Sequence, residues 1–226
     1  MTYIKSPFNW VGNKYKHLDI VNSLIGDNGY YSVIDIFMGT GNLLLNVDVE
    51  AQSYIGNDKQ ELVPMIYDTI SNLDAVFSYD DAEKIINENN RFSNKQDYYS
   101  FRDYWNSRYL NQEYDKRFCV ETGLLLKMCS NSMIRFNNAG YFNQGFRGLG
   151  NSNEFFATSL RNLVINRLND IYNKVGNNNY IFISQDFKTI LKQHKSQDRC
   201  LLLLDPPYIF DDAMGGMYDR NYSEKE

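Results

Sequence analysis

Asp205-Pro206-Pro207-Tyr208 packs more chemistry into less space than any other part of this sequence. Two consecutive prolines cannot continue a sheet, so they force an extended turn directly after the apolar run 200–204. That turn holds a carboxylate, a backbone carbonyl and an aromatic ring close together. Those are the parts needed to act on the exocyclic amine of a base swung out of its stack. The Asp205 carboxylate and the Pro206 carbonyl accept the two N–H bonds, the nitrogen lone pair stays free to attack, and Tyr208 offers a face for stacking. Taken alone, the same four residues also suit a rigid surface turn.

A second constellation lies at residues 33–45 (VIDIFMGTGNLLL), which read as strand, tight glycine turn and helix. Gly39 and Gly41 let a ligand approach the backbone. The dinucleotide fingerprint is absent, because Leu44 stands where its third glycine would be. Asp58 follows Gly41 by 17 residues at the end of the next apolar run, where an acid commonly takes both ribose hydroxyls. An ordinary strand-to-helix turn has the same spacing. Nearer the start, Phe8-Asn-Trp10-Val-Gly12-Asn-Lys14 joins an aromatic ring to a permissive glycine and a lysine that can pair with a carboxylate. A plain N-terminal strand and turn reads the same way.

The elements that must position these residues are four short apolar runs, at 33–37, 53–57, 180–184 and 200–204. Continuous apolar runs of this length predict parallel strands buried on both faces. Each finishes at a carboxylate or turn residue, and open parallel sheets bind ligands at the carboxyl ends of their strands. Between residues 62 and 168 helical spacing takes over, at 80–89, 97–109, 117–129 and 154–170, with Pro64 placed to open another helix. Residues 131–149 differ, with Gly140, Gly145 and Gly148 around the turn-prone Asn137-Asn138-Ala139-Gly140, and predict a β-hairpin or extended loop.

Composition narrows the classes. The hydrophobic share of 43% and charged share of 23% are those of a globular protein with a real core. No apolar run approaches the ~20 residues that span a bilayer, and the first ten residues carry no signal pattern. Cys119, Cys129 and Cys200 lack metal-ligand spacing, and an odd count without a signal predicts reduced thiols and a cytoplasmic setting. The net charge of −5 does not itself suggest a nucleic-acid partner. Its distribution does: residues 127–167 hold Lys127, Arg135, Arg147, Arg161 and Arg167 against the single acid Glu154. A basic island on an acidic protein suits a local phosphate-binding surface, or simply a solvated face.

In this order, Trp10-Val-Gly-Asn-Lys14, Asp35-Ile-Phe37-Met-Gly39-Thr-Gly41, Asn57-Asp58, a helical insert, Asp186-Phe187 and Asp205-Pro-Pro-Tyr208, the sequence resembles the Dam-type DNA adenine methyltransferases, including those of T-even phages. The resemblance implies an α/β fold: a Rossmann-like S-adenosylmethionine-dependent methyltransferase sheet made by residues 1–62 and 169–226. Residues 63–168 would be an inserted, mostly helical DNA-recognition domain carrying a β-hairpin. It further implies Trp10 and Lys14 against the methionine part of S-adenosylmethionine, Asp35 near its amino group, Asp58 on its ribose, and Asp186 and Phe187 on its adenine ring. Phe37, Gly39 and Gly41 complete that cofactor site. Asp205, Pro206, Pro207 and Tyr208 would act on N6 of adenine in double-stranded DNA, with no metal required. A cytosine-N4 enzyme, which more often has Ser at the first position of the tetrapeptide, and a DNA-binding remnant without catalysis are the alternatives.

The middle segment extends the resemblance. Asn131-Ser-Met133-Ile-Arg135-Phe-Asn137, Gly140 and Phe142-Asn143 match the start of the hairpin that enters DNA. The family commonly continues with Pro-Phe-Gly and an arginine two positions later. Here the run is Gly145-Phe-Arg147-Gly-Leu149, so the arginine that would pair with guanine O6 and N7 is absent at Leu149 or shifted to Arg147. A GATC recognition site therefore does not follow. The family also has further strands after the tetrapeptide, whereas 18 residues follow Tyr208 here, ending on the capping-box pattern Ser223 to Glu226. The expectation is an incomplete C-terminus, a fourth strand left as an apolar edge, and a dimer or a missing partner segment.

Overall fold

Four short apolar runs become parallel strands, three with β-branched or aromatic side chains and the last with leucines: β1 (Ser32–Asp35), β2 (Ser53–Asn57), β3 (Tyr180–Ile183) and β4 (Cys200–Leu203). They are seen in a computed structural model that describes residues 3–9, 14–26, 29–147, 153–176 and 179–206. The strand order is β3-β2-β1-β4. Asp35 stands opposite Gly56 on one side and Leu203 on the other, and Asn57 stands opposite Ile183. In-register pairing therefore brings all four carboxyl ends to one edge of the sheet, so Asp35, Asp58, Asp186 and Asp205 arrive at the same rim.

β1 is buried along its whole length, as a central strand should be. The expectation of burial on both faces fails for the flanking strands, because Ile181 is 49% and Leu202 39% exposed. The reason is position: among the described residues β3 and β4 are the sheet's edges. Their second face meets only a small cluster in which Ile190, from helix α8 defined below, covers Ile34, Ile36 and Ile55. The opposite face is covered much more fully.

The helices are α1 (Leu18–Leu24), α2 (Asn42–Asn46), α3 (Leu62–Ser71), α4 (Tyr79–Glu88), α5 (Lys95–Leu110), α6 (Lys116–Met128), α7 (Asn153–Val175) and α8 (Phe187–His194). Four start on side-chain caps: Ser78, Asn94, Asp115 and Asp186 each accept a backbone N–H of the first turn. One continuous core joins the sheet, through Val33, Tyr180 and Phe182, to Ile66 and Tyr67 of α3 and to the buried faces of α6 and α7. α7 runs unbroken through residues 168 and 169. α6 lies tight on it, since a Cβ at Gly123 would come within 2.5 Å of Val164 Cγ1. No helix of the described residues is long and apolar enough to cross a membrane.

The helical layer is also held by charge. Glu121 is fully buried, with Oε2 accepting from Arg108 Nη1 at 2.7 Å and Oε1 from Arg117 Nε at 2.6 Å. Arg108 also reaches Asp115, and Arg117 reaches Glu88, so α4, α5 and α6 share one ionic network.

Residues 129–147 form the expected hairpin in irregular form. Cys129 bridges Phe146 and Phe136 bridges Phe142, both antiparallel, and Asn143 N–H donates to Arg135 O. The turn closes on itself because Asn137 Oδ1 accepts from both Ala139 and Tyr141 N–H, while Gly140 takes a φ of +78°. Buried Phe142 anchors the hairpin to α5: Asn106 of that helix bonds its N–H and its C=O, and its ring meets Trp105 edge-on.

Candidate active site

The site is assembled where the glycine turn leaves β1. Gly39 and Gly41 take φ values of +52° and +73°, in the left-handed region that side chains resist. A Cβ at Gly41 would also lie 2.7 Å from Tyr67 Cε2. Asp58, at the end of β2, holds this turn directly, with Oδ2 accepting Gly39 N–H at 2.8 Å and Oδ1 accepting Gln60 N–H at 2.9 Å. Burial pushes the Asp58 carboxyl up, and those two amides oppose the rise.

Asp35 is the outlier of the site. Its side chain is buried, and neither carboxylate oxygen has a hydrogen-bond partner among the described residues. Burial first, then the charges of Asp58 and Asp205, push its carboxyl up to about 8. The amides of Phe37 and Leu44 oppose the shift without closing a hydrogen bond of ordinary geometry. An unsatisfied buried carboxyl is costly, and proteins retain such groups where something else completes them.

Asp205 follows β4 and meets Lys14, whose Nζ lies 2.7 Å from Asp205 Oδ2. Three carboxylates thus gather at the ends of three neighbouring strands, and the ammonium of Lys14 stands on one of them. On the far side of β2, Asn57 joins the ends of two strands: its Nδ2 donates to Ile36 O and Gln185 O, and its Oδ1 accepts Gln185 N–H. Asp186 caps α8 through Lys188 N–H. Phe187 follows it and packs on Phe37 with ring centres 5.5 Å apart.

The N-terminal segment 3–9 is clamped by α2. Asn46 bonds both the N–H and the C=O of Ile4, and Asn42 Oδ1 accepts Ser6 N–H. Tyr67 donates to Thr40 O at 2.7 Å and accepts from Ser6 Oγ at 2.9 Å, which fastens the segment to the glycine turn. Farther along, Asn9 forms a parallel bridge with Met133, so the same segment reaches the hairpin. These clamps were missed in the sequence. Asn42 and Asn46, spaced i and i+4 in an otherwise apolar NLLLN helix, were the available signal.

The fold therefore brings Lys14, Asp35, Phe37, Gly39, Gly41, Asp58, Asp186, Phe187, Asp205 and Pro206 to one rim. Asn131, Met133, Arg135, Asn137, Asn143 and Arg147 lie apart from it, on the hairpin. All but half-buried Met133 are exposed, and Asn137 spends its side chain on the turn. Trp10, Pro207 and Tyr208 fall outside the described residues, as do Leu149 and the 223–226 capping pattern.

The sequence pattern of the family described as D12 class N6 adenine-specific DNA methyltransferases matches residues 10–221. The chain is 28% identical to the modification methylase StsI of Streptococcus sanguinis over 227 aligned positions, covering 97% of the chain and 32% of that relative. It is 26% identical to the type II methyltransferase M.FokI of Planomicrobium okeanokoites over 226 positions, with the same coverages. The chain thus spans about a third of the length of the curated relatives it matches.

Proposed function

Since this chain belongs to the D12 class N6 adenine-specific DNA methyltransferase family, we propose that it transfers a methyl group from S-adenosylmethionine to N6 of adenine in double-stranded DNA. In this reading residues 1–62 and 169–226 carry the donor and the chemistry, and residues 63–168 recognise DNA. We extend to it the modification role in the names of its two relatives.

The observation that carries the reading is Asp35, a buried carboxyl without a partner, beside Asp58 and Asp205. A cationic ligand fits this rim, and S-adenosylmethionine is cationic at both its ammonium and its sulfonium. Asp35 would take the ammonium, with Trp10 and Lys14 along the methionine part. Asp58 would take the ribose hydroxyls beside Gly39, and Asp186 and Phe187 the adenine ring, with Phe37 supporting Phe187 from behind. When bound, the donor supplies an electrophilic methyl group on sulfur.

The chain's own residues then orient the acceptor. Asp205 accepts one N–H of the target amine, the Pro206 carbonyl accepts the other, and Tyr208 stacks on the base. The nitrogen lone pair is left facing the methyl group, so the acceleration comes from positioning and hydrogen bonding more than from a strong base. Lys14 lets Asp205 sit close to Asp35 and Asp58 by offsetting charge that would otherwise repel. The hairpin, with Asn131, Met133, Arg135, Asn143 and Arg147, enters the DNA. Incubation with methyl-labelled donor and unmethylated duplex tests the proposal: label in the DNA supports it, and no label at any donor concentration contradicts it.

A further inference from the structure

Lys127 ends the basic side of α6 half-buried, with no ion-pair or hydrogen-bond partner among the described residues. Other cations in this protein are treated differently: Arg108, Arg117 and Arg161 each end on a carboxylate. Around Lys127 the neighbours are cations instead. Arg167 comes from α7, Lys5 from the N-terminal segment and Arg147 from the hairpin's exit.

The backbone holds these four together. Arg167 Nη1 donates to Ser6 O at 3.3 Å, which seats it beside Lys5. Arg147 N–H donates to Met128 O at 2.9 Å, which seats it beside Lys127. The close Gly123–Val164 contact sets the helices that bear Lys127 and Arg167. Burial first, then Arg167, Lys5 and Arg147, push the Lys127 ammonium down to about 8. The attractive neighbours are few: Cys129 acts on Lys127, Lys5 lies over the Tyr15 ring, and Tyr15 and Asp170 act on Arg167. Among the described residues none of the four cations forms an ion pair with a carboxylate.

Like charges gathered from four segments, two of them half-buried and all short of counter-charge, are arranged for an anion from outside. We propose that Lys5, Lys127, Arg147 and Arg167 form one phosphate-binding site that holds a backbone phosphodiester of the DNA strand whose base enters the cleft. The inference rests on the reading of the chain as a DNA methyltransferase and adds a site to it. The location supports a DNA phosphate over a free one. Ser6, the acceptor for Arg167, is tied on its other side to Asn42 and Tyr67 at the glycine turn. Arg147 closes the hairpin, and Asn9 joins that hairpin to the N-terminal segment. A phosphate held here would fix the strand relative to both the recognition hairpin and the methyl-transfer rim.

The test compares the full chain with Lys127→Met, and with Lys127→Gln as a second variant, on one duplex across a range of salt. The expected result is affinity lower by roughly tenfold at low salt and a salt slope flatter by about 0.9, the signature of one lost phosphate contact. Thermal stability should hold or rise, because an unpaired half-buried cation is removed, and S-adenosylmethionine affinity should not move. Duplexes carrying a neutral methylphosphonate at single positions locate the contact: one position should weaken wild type and have no effect on the variants. Unchanged affinity and slope in both variants, or penalties that add at every position, would overturn the site while leaving the methyltransferase reading intact. A wild-type chain that binds no duplex at any salt would overturn both.

Discussion

Lys14 Nζ lies 2.7 Å from Asp205 Oδ2, so the basic end of the N-terminal motif meets the acid of the Asp-Pro-Pro-Tyr turn at the rim of the sheet. Each side chain is about a quarter exposed, so the pair contributes only about 0–1 kcal/mol to stability. Its importance is chemical. Asp205→Ala should lower methyl transfer by on the order of 10² or more, with S-adenosylmethionine affinity nearly unchanged and unfolding little affected. Single-turnover rates beside calorimetric donor binding separate these effects. Turnover like that of wild type would remove Asp205 from the chemistry.

Asp35 makes the stability of the chain depend on pH in a stated direction. Its folded pKa is raised to about 8, whereas an unfolded carboxyl ionises near 3.8. Below pH 4 both states hold the proton and nothing is lost. As pH rises from 4 toward 8 the unfolded state gives up its proton first, so stability falls, by at most about 1.4 kcal/mol per pH unit from this group. Asp35→Asn should flatten that decline in urea unfolding between pH 5 and 8. Donor binding has the opposite slope, because the ammonium needs the ionised carboxyl: affinity should rise toward pH 8 in wild type and become weak and flat in the Asn variant. A wild-type decline that persists in Asp35→Asn would locate its cause elsewhere.

The four strands and the helices α4 to α6 were legible because local pattern decides them, whereas α1 and α8 were not read and α7 runs on to Val175, past the expected end at 170. Residues 53–57 form β2 with the expected bounds, and the helices α4 to α6 start and stop within two residues of the apolar spacing. Asp35, Asp58, Asp186 and Asp205, too, fall at or just past strand ends, where the apolar runs place them. What depended on tertiary register was not legible. Nothing local says that Ile181, in a run as apolar as β1, would flank the sheet and stay exposed, whereas the apolar edge expected of β4 is seen in Leu202. The Arg108–Glu121–Arg117 network exists only because α5 and α6 cross there. That Lys14 would stand on Asp205, and Asp35 on nothing, required the folded rim.

Arg135 and Arg147 differ in setting, and their variants should differ in kind. Both are exposed, but Arg135 stands on the first arm of the hairpin, whereas the Arg147 backbone is fastened to Met128, beside Lys127. Arg135→Ala should relax discrimination at one base pair by roughly 1–3 kcal/mol, and Arg147→Ala should weaken all sequences alike and flatten the salt slope. Competition binding over a library of single-base variants reads both. Unchanged affinity in both variants would move the DNA surface away from the hairpin.

Glu121 carries the ionic network of the helical layer on a fully buried side chain. Glu121→Ala leaves Arg108 buried with part of its charge unanswered and should cost about 3–5 kcal/mol in chemical unfolding. A loss below about 1 kcal/mol would show that Asp115 and Glu113 satisfy Arg108 without it.

The most direct measurement is of the product itself. The chain is incubated with methyl-labelled S-adenosylmethionine and unmethylated duplex, beside Asp205→Ala, and the DNA is digested to nucleosides and separated. The account predicts label in N6-methyldeoxyadenosine with the wild-type chain and on the order of a hundredfold less with the variant. Label in N4-methyldeoxycytidine, or equal label from both proteins, would contradict it.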